Sequence, residues 1–150
     1  MSITNVSKRL WPIALLFLFC QPFWALAAKK PPTTVLDIGE EQHLIFMREE
    51  EKLARDVYIV LGEEYPAYSG FTTIDDSEQR HFDTMKTKLD QYGIEDPNTD
   101  DRVGYFTGEK YGEYFMEKFD TLVKMGKKEP LEALYVGAFI EELDMHDIVL

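Results

Sequence analysis

Glu78 and His81 stand three residues apart, a spacing that sets a carboxylate and an imidazole side by side on one helix face. With each residue advancing by about 100°, Ile74, Phe82, Met85, Leu89 and Tyr92 fall within about 40° of Glu78, and His81 lies about 60° away. Glu78 therefore occupies the centre of an apolar stripe, where an unpaired carboxylate must protonate or find a partner. Residues 130–150 repeat the pattern. Around Glu141 the neighbours on the helical wheel are Leu134, Gly137 and Ile148, with Asp144 about 60° off beside Ala133. Glu132, Glu142 and His146 gather on the opposite side, so Glu141 and Asp144 are expected to point inward and Glu142 outward. In residues 40–62, Glu50 falls inside an arc with Phe46, Met47, Ala54, Val57 and Leu61, while Glu51 lies at its edge beside Leu44 and Tyr58. Periodicity alone prefers Glu50.

Three helix faces that each carry an acid, one of them with a histidine, form the donor set with which helical bundles hold two iron or manganese ions. Carboxylate oxygens bridge two cations and offset their charge, while imidazole suits iron. Ordinary readings compete at each position. His81 can be a partly buried histidine bonded to a carbonyl. Glu78, close to a helix start, can serve the helix dipole. Asp144 can pair with a basic residue of a neighbouring helix, and Tyr58, Tyr92 and Tyr135 can be core aromatics with bonded hydroxyls. The sequence contains no catalytic triad, phosphate-binding loop or zinc-finger spacing.

The elements that position these residues are all helical. A first helix is expected from Glu40 to about Gly62, followed by a loop over 63–73 that contains Pro66 and Gly70. A second is expected from Asp75 to Ser77, either of which can cap it, through Tyr92, where Gly93 ends it. A long connection over 94–110 leads to a short amphipathic helix from Glu113 to Met125 and a last one from Pro130 onward. Nothing reads as a strand pair. The class is all-α, with helices long enough for a bundle.

Residues 1–27 read as a signal peptide and are set apart from the fold. Lys8 and Arg9 supply a basic start, an apolar run follows from Leu10 to Phe19, and Ala25-Leu26-Ala27 offers a cleavage site. The competing reading is an uncleaved anchor, against which the run is short and interrupted by Pro12 and Pro22. Residues 28–39 form a flexible lead-in, and 40–150 form the helical domain. Export to the periplasm or the medium follows, with no stable membrane partner once the signal is removed. The one cysteine, Cys20, leaves with that segment, so packing, metal or association must hold the remainder together. A net charge of −12 argues against nucleic acid as a partner and is compatible with attracting metal ions.

The strings MREEEKLARDVY (47–58), SEQRH (77–81) and ALYVGAFIEELDMHDI (133–148), with QYGIEDP and Val103-Gly104-Tyr105-Phe106 between them, resemble a prokaryotic ferritin-like family of unknown function. The resemblance covers nearly all of 40–150 and extends to the di-iron carboxylate proteins of the ferritin and rubrerythrin type. It implies a four-helix-bundle fold and a first-helix ligand followed by a small residue at +3 and Tyr at +7. Glu51, Ala54 and Tyr58 fit that pattern, so the resemblance selects Glu51 where periodicity selects Glu50. The implied metal ligands are Glu51, Glu78, His81, Glu141 and Asp144, with Tyr58 hydrogen-bonding a ligand carboxylate. The implied chemistry is oxidase-like or metal-handling, at two iron or manganese ions. The family pattern continues into a fourth bundle helix with a further ligand motif, which this sequence lacks, and 113–125 resembles part of the crossover between the second and third bundle helices. The domain is thus expected to be C-terminally truncated, or to have its site completed in a homodimer or larger homo-oligomer, or to have lost part of its centre. The alternative is a non-catalytic helical binding module that has lost a complete metal site.

Overall fold

The computed structural model describes residues 35–147; the expected signal segment, most of the lead-in and residues 148–150 lie outside the described residues. Among the described residues there are four helices and no strand: α1 (Ile38–Glu64), α2 (Ser69–Tyr92), α3 (Gly112–Gly126) and α4 (Pro130–Asp147). None of them is long and apolar enough to cross a membrane.

Two helix starts differ from expectation, each for a local reason. α1 begins at Ile38 because Asp37 and Glu40 form a capping box. The Asp37 carboxylate accepts from the Glu40 amide at 2.9 Å, and Glu40 returns the contact to the Asp37 amide at 2.8 Å. α2 begins at Ser69, well before Asp75, so the expected loop over 63–73 shrinks to residues 65–68. Phe71 is buried and its ring lies 6.3 Å from that of Tyr58, which fixes the first turn. The Ser69 carbonyl takes the Thr72 and Thr73 hydroxyls, both at 3.0 Å. Gly93, at φ 73°, ends α2 in the left-handed region as its sequence position predicts.

The contacts fix the direction of every helix. Tyr58 of α1 meets Phe71 of α2 and Arg48 meets Phe82, so α1 and α2 are antiparallel. Phe46 packs on Phe115 with ring centroids 5.0 Å apart, and Leu61 lies against Gly126, so α3 runs parallel to α1. Gly126 also touches Ala133, and Tyr58 reaches Gly137, which turns α4 antiparallel to both. Residues 93–111 leave α2 and enter α3 at the same end of α1, and between those points this return segment climbs along α1 to Gly104 beside Asp56 and comes back to Gly108 over Glu49. That return segment buries Phe106 in the core with Leu53, Val57, Leu61, Phe115 and Leu122. Burial of each such side chain contributes about 1.5–3 kcal/mol.

Wrapped in this way, α1 has no solvent face between Met47 and Tyr58, where every residue is buried. This is why its wheel was ambiguous at the sequence level. Its basic side chains are met by Asp56 of the same helix and by the return segment. Arg48 pairs with Asp96 at 2.9 Å and stacks 3.1 Å from the centroid of Phe82. Lys52 donates to Asp56 at 2.5 Å and to the Arg102 carbonyl at 2.9 Å. Arg55 holds Asp56 and Asp101, each at 2.8 Å, and Gln79 at 2.9 Å. The Gly104 amide closes on Asp56 at 2.9 Å. Gly104 sits at φ 73°, and a methyl group there would lie 2.4 Å from the Phe119 ring, so the turn admits no side chain.

Only part of α4 is covered. Ala133, Val136 and Ile140 are buried, but Leu134, Tyr135 and Phe139 remain 48%, 58% and 41% exposed. A helix apolar on most sides needs cover on several, and the described residues supply it only in part.

Candidate metal centre

The site forms where the middle of α1 meets α2 and the end of α4 passes nearby. Antiparallel packing sets Glu51 of α1 against Glu78 and His81 of α2, and their ligand atoms all lie within 4.8 Å of one another. His81 Nδ1 is 3.0 Å from Glu78 Oε2 and 3.5 Å from Glu51 Oε2. Glu78 is 3% exposed and Glu51 7%, whereas the imidazole is about half exposed. The trio thus has a buried carboxylate floor and an imidazole at its mouth.

The electrostatics of the floor are those of crowded negative charge. Burial, followed by the charges of Asp144 and Glu78, pushes the Glu51 pKa from 4.5 up to about 9, and a hydrogen bond with Glu78 and the charge of Glu50 add to it. In the metal-free protein Glu51 therefore carries a proton at neutral pH, shared with Glu78. Its Oε2 atom is buried without a hydrogen-bond partner. A buried oxygen left open is costly unless something else occupies it.

Asp144 is half-buried and close enough for its charge to act on Glu51. Glu141 requires a correction. It was expected to point inward, yet it is exposed, because the described residues cover its side of α4 at Gly137 but leave the carboxylate itself open. Its carboxylate is nevertheless held at the site: Tyr58, buried at 1% exposure, donates to Glu141 Oε1 at 2.7 Å with the Gly137 carbonyl 3.1 Å away. Burial and the bonded Glu141 carboxylate push the Tyr58 pKa up, so its hydroxyl remains a donor. Gly137 makes this approach close: a methyl group there would lie 3.3 Å from the Tyr58 hydroxyl. Glu142 is exposed, as expected.

Both candidates of the first helix are buried, Glu50 at 6% and Glu51 at 7%, and it is Glu51 that faces His81. The wheel missed this because it assumed a solvent side on a stretch of helix that has none. Sequence reasoning also missed the burial of Glu49, whose two oxygens have no hydrogen-bond partner. The only signal for it was the unbroken acidic run Glu49-Glu50-Glu51, which spans about 200° of the helix.

A chain from Methanocaldococcus jannaschii, the uncharacterized protein MJ0754, is 44% identical over 117 residues, covering 78% of this chain and 60% of that protein. Its crystal structure superposes with a TM-score of 0.72 at 42% identity, covering 79% of this chain and 65% of that one. The chain thus spans under two thirds of the length of this relative. The family model described as an uncharacterized protein domain, DUF2202, matches residues 40–149, which include the whole Glu51, Glu78 and His81 trio, and the chain belongs to that family.

Proposed function

We propose that this chain is an exported metal-binding protein of the ferritin-like type, with a carboxylate/histidine centre for two iron or manganese ions. The observation that carries the reading is the convergence of Glu51, Glu78 and His81 around a buried, unpartnered oxygen. The donor set fits: two carboxylates and one imidazole suit iron or manganese, and the set is compact enough for one cation to touch all three after a small side-chain shift. Glu51, Glu78 and His81 would hold the first ion, with Asp144 and Glu141 offered from α4. A cation here would replace the proton on Glu51 and relieve the repulsion among the acids. Tyr58 would orient Glu141 through its hydroxyl, as partners of metal ligands do. Bound iron would supply electron transfer to dioxygen, peroxide or further ferrous iron. The half-exposed His81 keeps one side of the centre open to such small reactants.

The arrangement of helices supports the ferritin-like reading. α2 and α4 run in the same direction and are joined by residues 93–129, which contain α3, as expected of a crossover in such a bundle. The uncovered apolar side of α4 is where a second copy of the chain would pack and complete the centre.

Elemental analysis of the purified chain tests the proposal, with about two iron or manganese ions per centre expected. The Glu78→Ala, His81→Ala double variant should lose them. A protein that takes up neither ion, and whose melting curve is indifferent to both, would support the non-catalytic module, in which Glu51 and Glu78 simply share a proton. N-terminal sequencing of the exported form should find residue 28 first, and sedimentation should find a dimer or larger.

A further inference from the structure

The exposed side of α4 is spaced symmetrically about one residue, Ala138. Leu131, Leu134 and Tyr135 precede it, Glu141, Glu142 and Met145 follow it, and all of them are exposed. On the helical wheel every one falls within about 60° of Ala138, so they form a single face about 21 Å long. Leu131 and Met145 stand seven residues either side of Ala138, Leu134 and Glu142 four, and Tyr135 and Glu141 three. A contact between two identical copies uses one patch twice, and requires residues placed equally about its axis.

Charge sets the direction in which two such faces can meet. From 124 to 132, three lysines stand against two glutamates, whereas from 141 to 147 there are four acids and no lysine or arginine. Lys124, Lys127 and Lys128 are exposed. Copies running the same way would lay the acidic end on the acidic end, which is repulsive. Reversed copies lay it on the end that carries the lysines, and such complementarity fixes orientation. The face is also flanked by apolar grooves of about 310 and 240 Å³, one lined by Tyr68, Phe71 and Ile74, the other by Leu122, Met125 and Phe139.

We propose that two copies of the chain pair antiparallel along α4, on a two-fold axis beside Ala138, so that each covers the other's Glu141. A two-fold axis normal to both helices reverses their direction and keeps every residue on its own side of the face. Tyr135 and Glu142 lie on one side of Ala138, at about 60° and 40°, and Leu134 and Glu141 on the other, at about 40° and 60°. Tyr135 therefore meets the partner's Glu142 and donates its hydroxyl to that carboxylate, twice per dimer. Leu134 lies over the partner's Glu141, the acid that Tyr58 holds at the metal centre. Leu131 and the partner's Met145 close each end. Ala138 meets its own copy at the axis, where a small side chain lets the helices approach to about 8 Å. The inference rests on the self-association of α4 proposed above, to which it adds direction, axis and pairs, and it is independent of which metal binds.

The test uses the purified chain carrying Cys20→Ser, which removes its one cysteine. Sedimentation should find a dimer. Adding Ala138→Cys should give a disulfide-linked dimer on mild oxidation, because the two Cα atoms at the axis come within disulfide range. Thr87→Cys, exposed on α2, should not cross-link. Ala138→Arg should be monomeric with unchanged helical content; if it does not fold, the cysteine variant decides. Tyr135→Phe and Glu142→Ala should each weaken the dimer about tenfold or more, and together no more than either alone, since both remove the same bond. A monomeric wild type overturns this inference together with the self-association on which it rests, while metal uptake keeps its own assay. A dimer that survives Ala138→Arg, that fails to cross-link through Ala138→Cys, or in which the Tyr135 and Glu142 effects add, overturns the antiparallel seam alone.

Discussion

Within nine residues of α1, buried charge is handled in two opposite ways. Toward the return segment, Lys52, Arg55 and Asp56 form a closed set with Asp101 and backbone groups, and cation meets anion at 2.5–2.8 Å. Toward α2 and α4, Glu51 and Glu78 meet a half-exposed histidine, with the charge of Asp144 near enough to act on Glu51. The first group is electrically complete and needs nothing from outside. The second leaves a Glu51 oxygen without a hydrogen-bond partner among the described residues, and burial beside other acids makes Glu51 hold a proton. Residues that settle each other's charge hold the structure together, and a cluster left with one sign of charge is built for a ligand of the other.

The comparison predicts opposite signs for substitutions a few residues apart. The largest effect is expected at Asp56, which is fully buried between Lys52 and Arg55. Asp56→Ala leaves both cations short of their partner, and breaking a buried pair of this kind costs about 3–5 kcal/mol. Urea unfolding of the variant should show this loss, or no folded protein at all. A cost under about 1 kcal/mol would mean that the set is not what anchors the return segment.

Next in size is the response to metal. Manganese or ferrous iron at about a hundredfold above its dissociation constant should stabilise the wild type by about 2.7 kcal/mol. The response should vanish on chelation and be absent in Glu51→Gln. Without metal, the same substitution should stabilise the protein at pH 8 by about 1–3 kcal/mol, because folding then no longer requires a carboxylate that is ionised in the unfolded chain to take up a proton. The pH dependence has a definite sign. Glu51 has a raised pKa in the folded state, about 9 against an ordinary 4.5, so between these values the native state holds a proton that the unfolded chain has released. Its contribution to stability is therefore full below about pH 4.5 and is lost as pH rises toward 9. Glu51→Gln should flatten that decline. A metal-free wild type whose melting temperature does not fall relative to Glu51→Gln over this range would contradict the shared-proton picture.

The sequence was informative where one helix face differed from another. The stripe around Glu78 in α2 was readable because that helix does have a solvent side, and the buried Glu78 lies where the wheel put it. The end of α2 at Gly93 and the start of α4 at Pro130 carried their own local signals. α1 was opaque for the converse reason. A helix enclosed on all sides carries no periodic contrast, and its buried charges look like surface until their partners at Asp96, Asp101 and Arg102 are known. Those partners lie about 50 residues away in a segment that reads only as a long loop. The early start of α2 was hidden because Ser69-Gly70 looks like a turn, and only the burial of Phe71 against Tyr58 makes it helical. The exposure of Glu141 was hidden too, since the wheel reports which side of α4 is apolar but not whether anything covers it.

The smallest effect expected on stability concerns Tyr58, the residue that links α1 to α4 at the site. Its ring is packed in the core and would be retained by Phe, so Tyr58→Phe removes only the hydroxyl and its 2.7 Å bond to Glu141. Glu141 is exposed and can return to water, so the loss should be near that of an ordinary hydrogen bond, about 1 kcal/mol. The consequence for metal should be out of proportion to this. If Tyr58 holds Glu141 ready for an ion, the variant loses that orientation while Glu51, Glu78 and His81 keep their places, and a supporting bond of this kind is worth about 10-fold or more in metal affinity. A variant with nearly unchanged melting temperature but clearly weakened manganese binding would make Tyr58 a positioning residue and Glu141 part of the centre. Unchanged affinity would reduce the Tyr58–Glu141 contact to helix packing and confine the centre to α1 and α2. Glu141→Gln separates the two accounts further. It keeps an acceptor for the Tyr58 hydroxyl, so it should spare stability and still weaken binding if Glu141 contributes its charge to the ion.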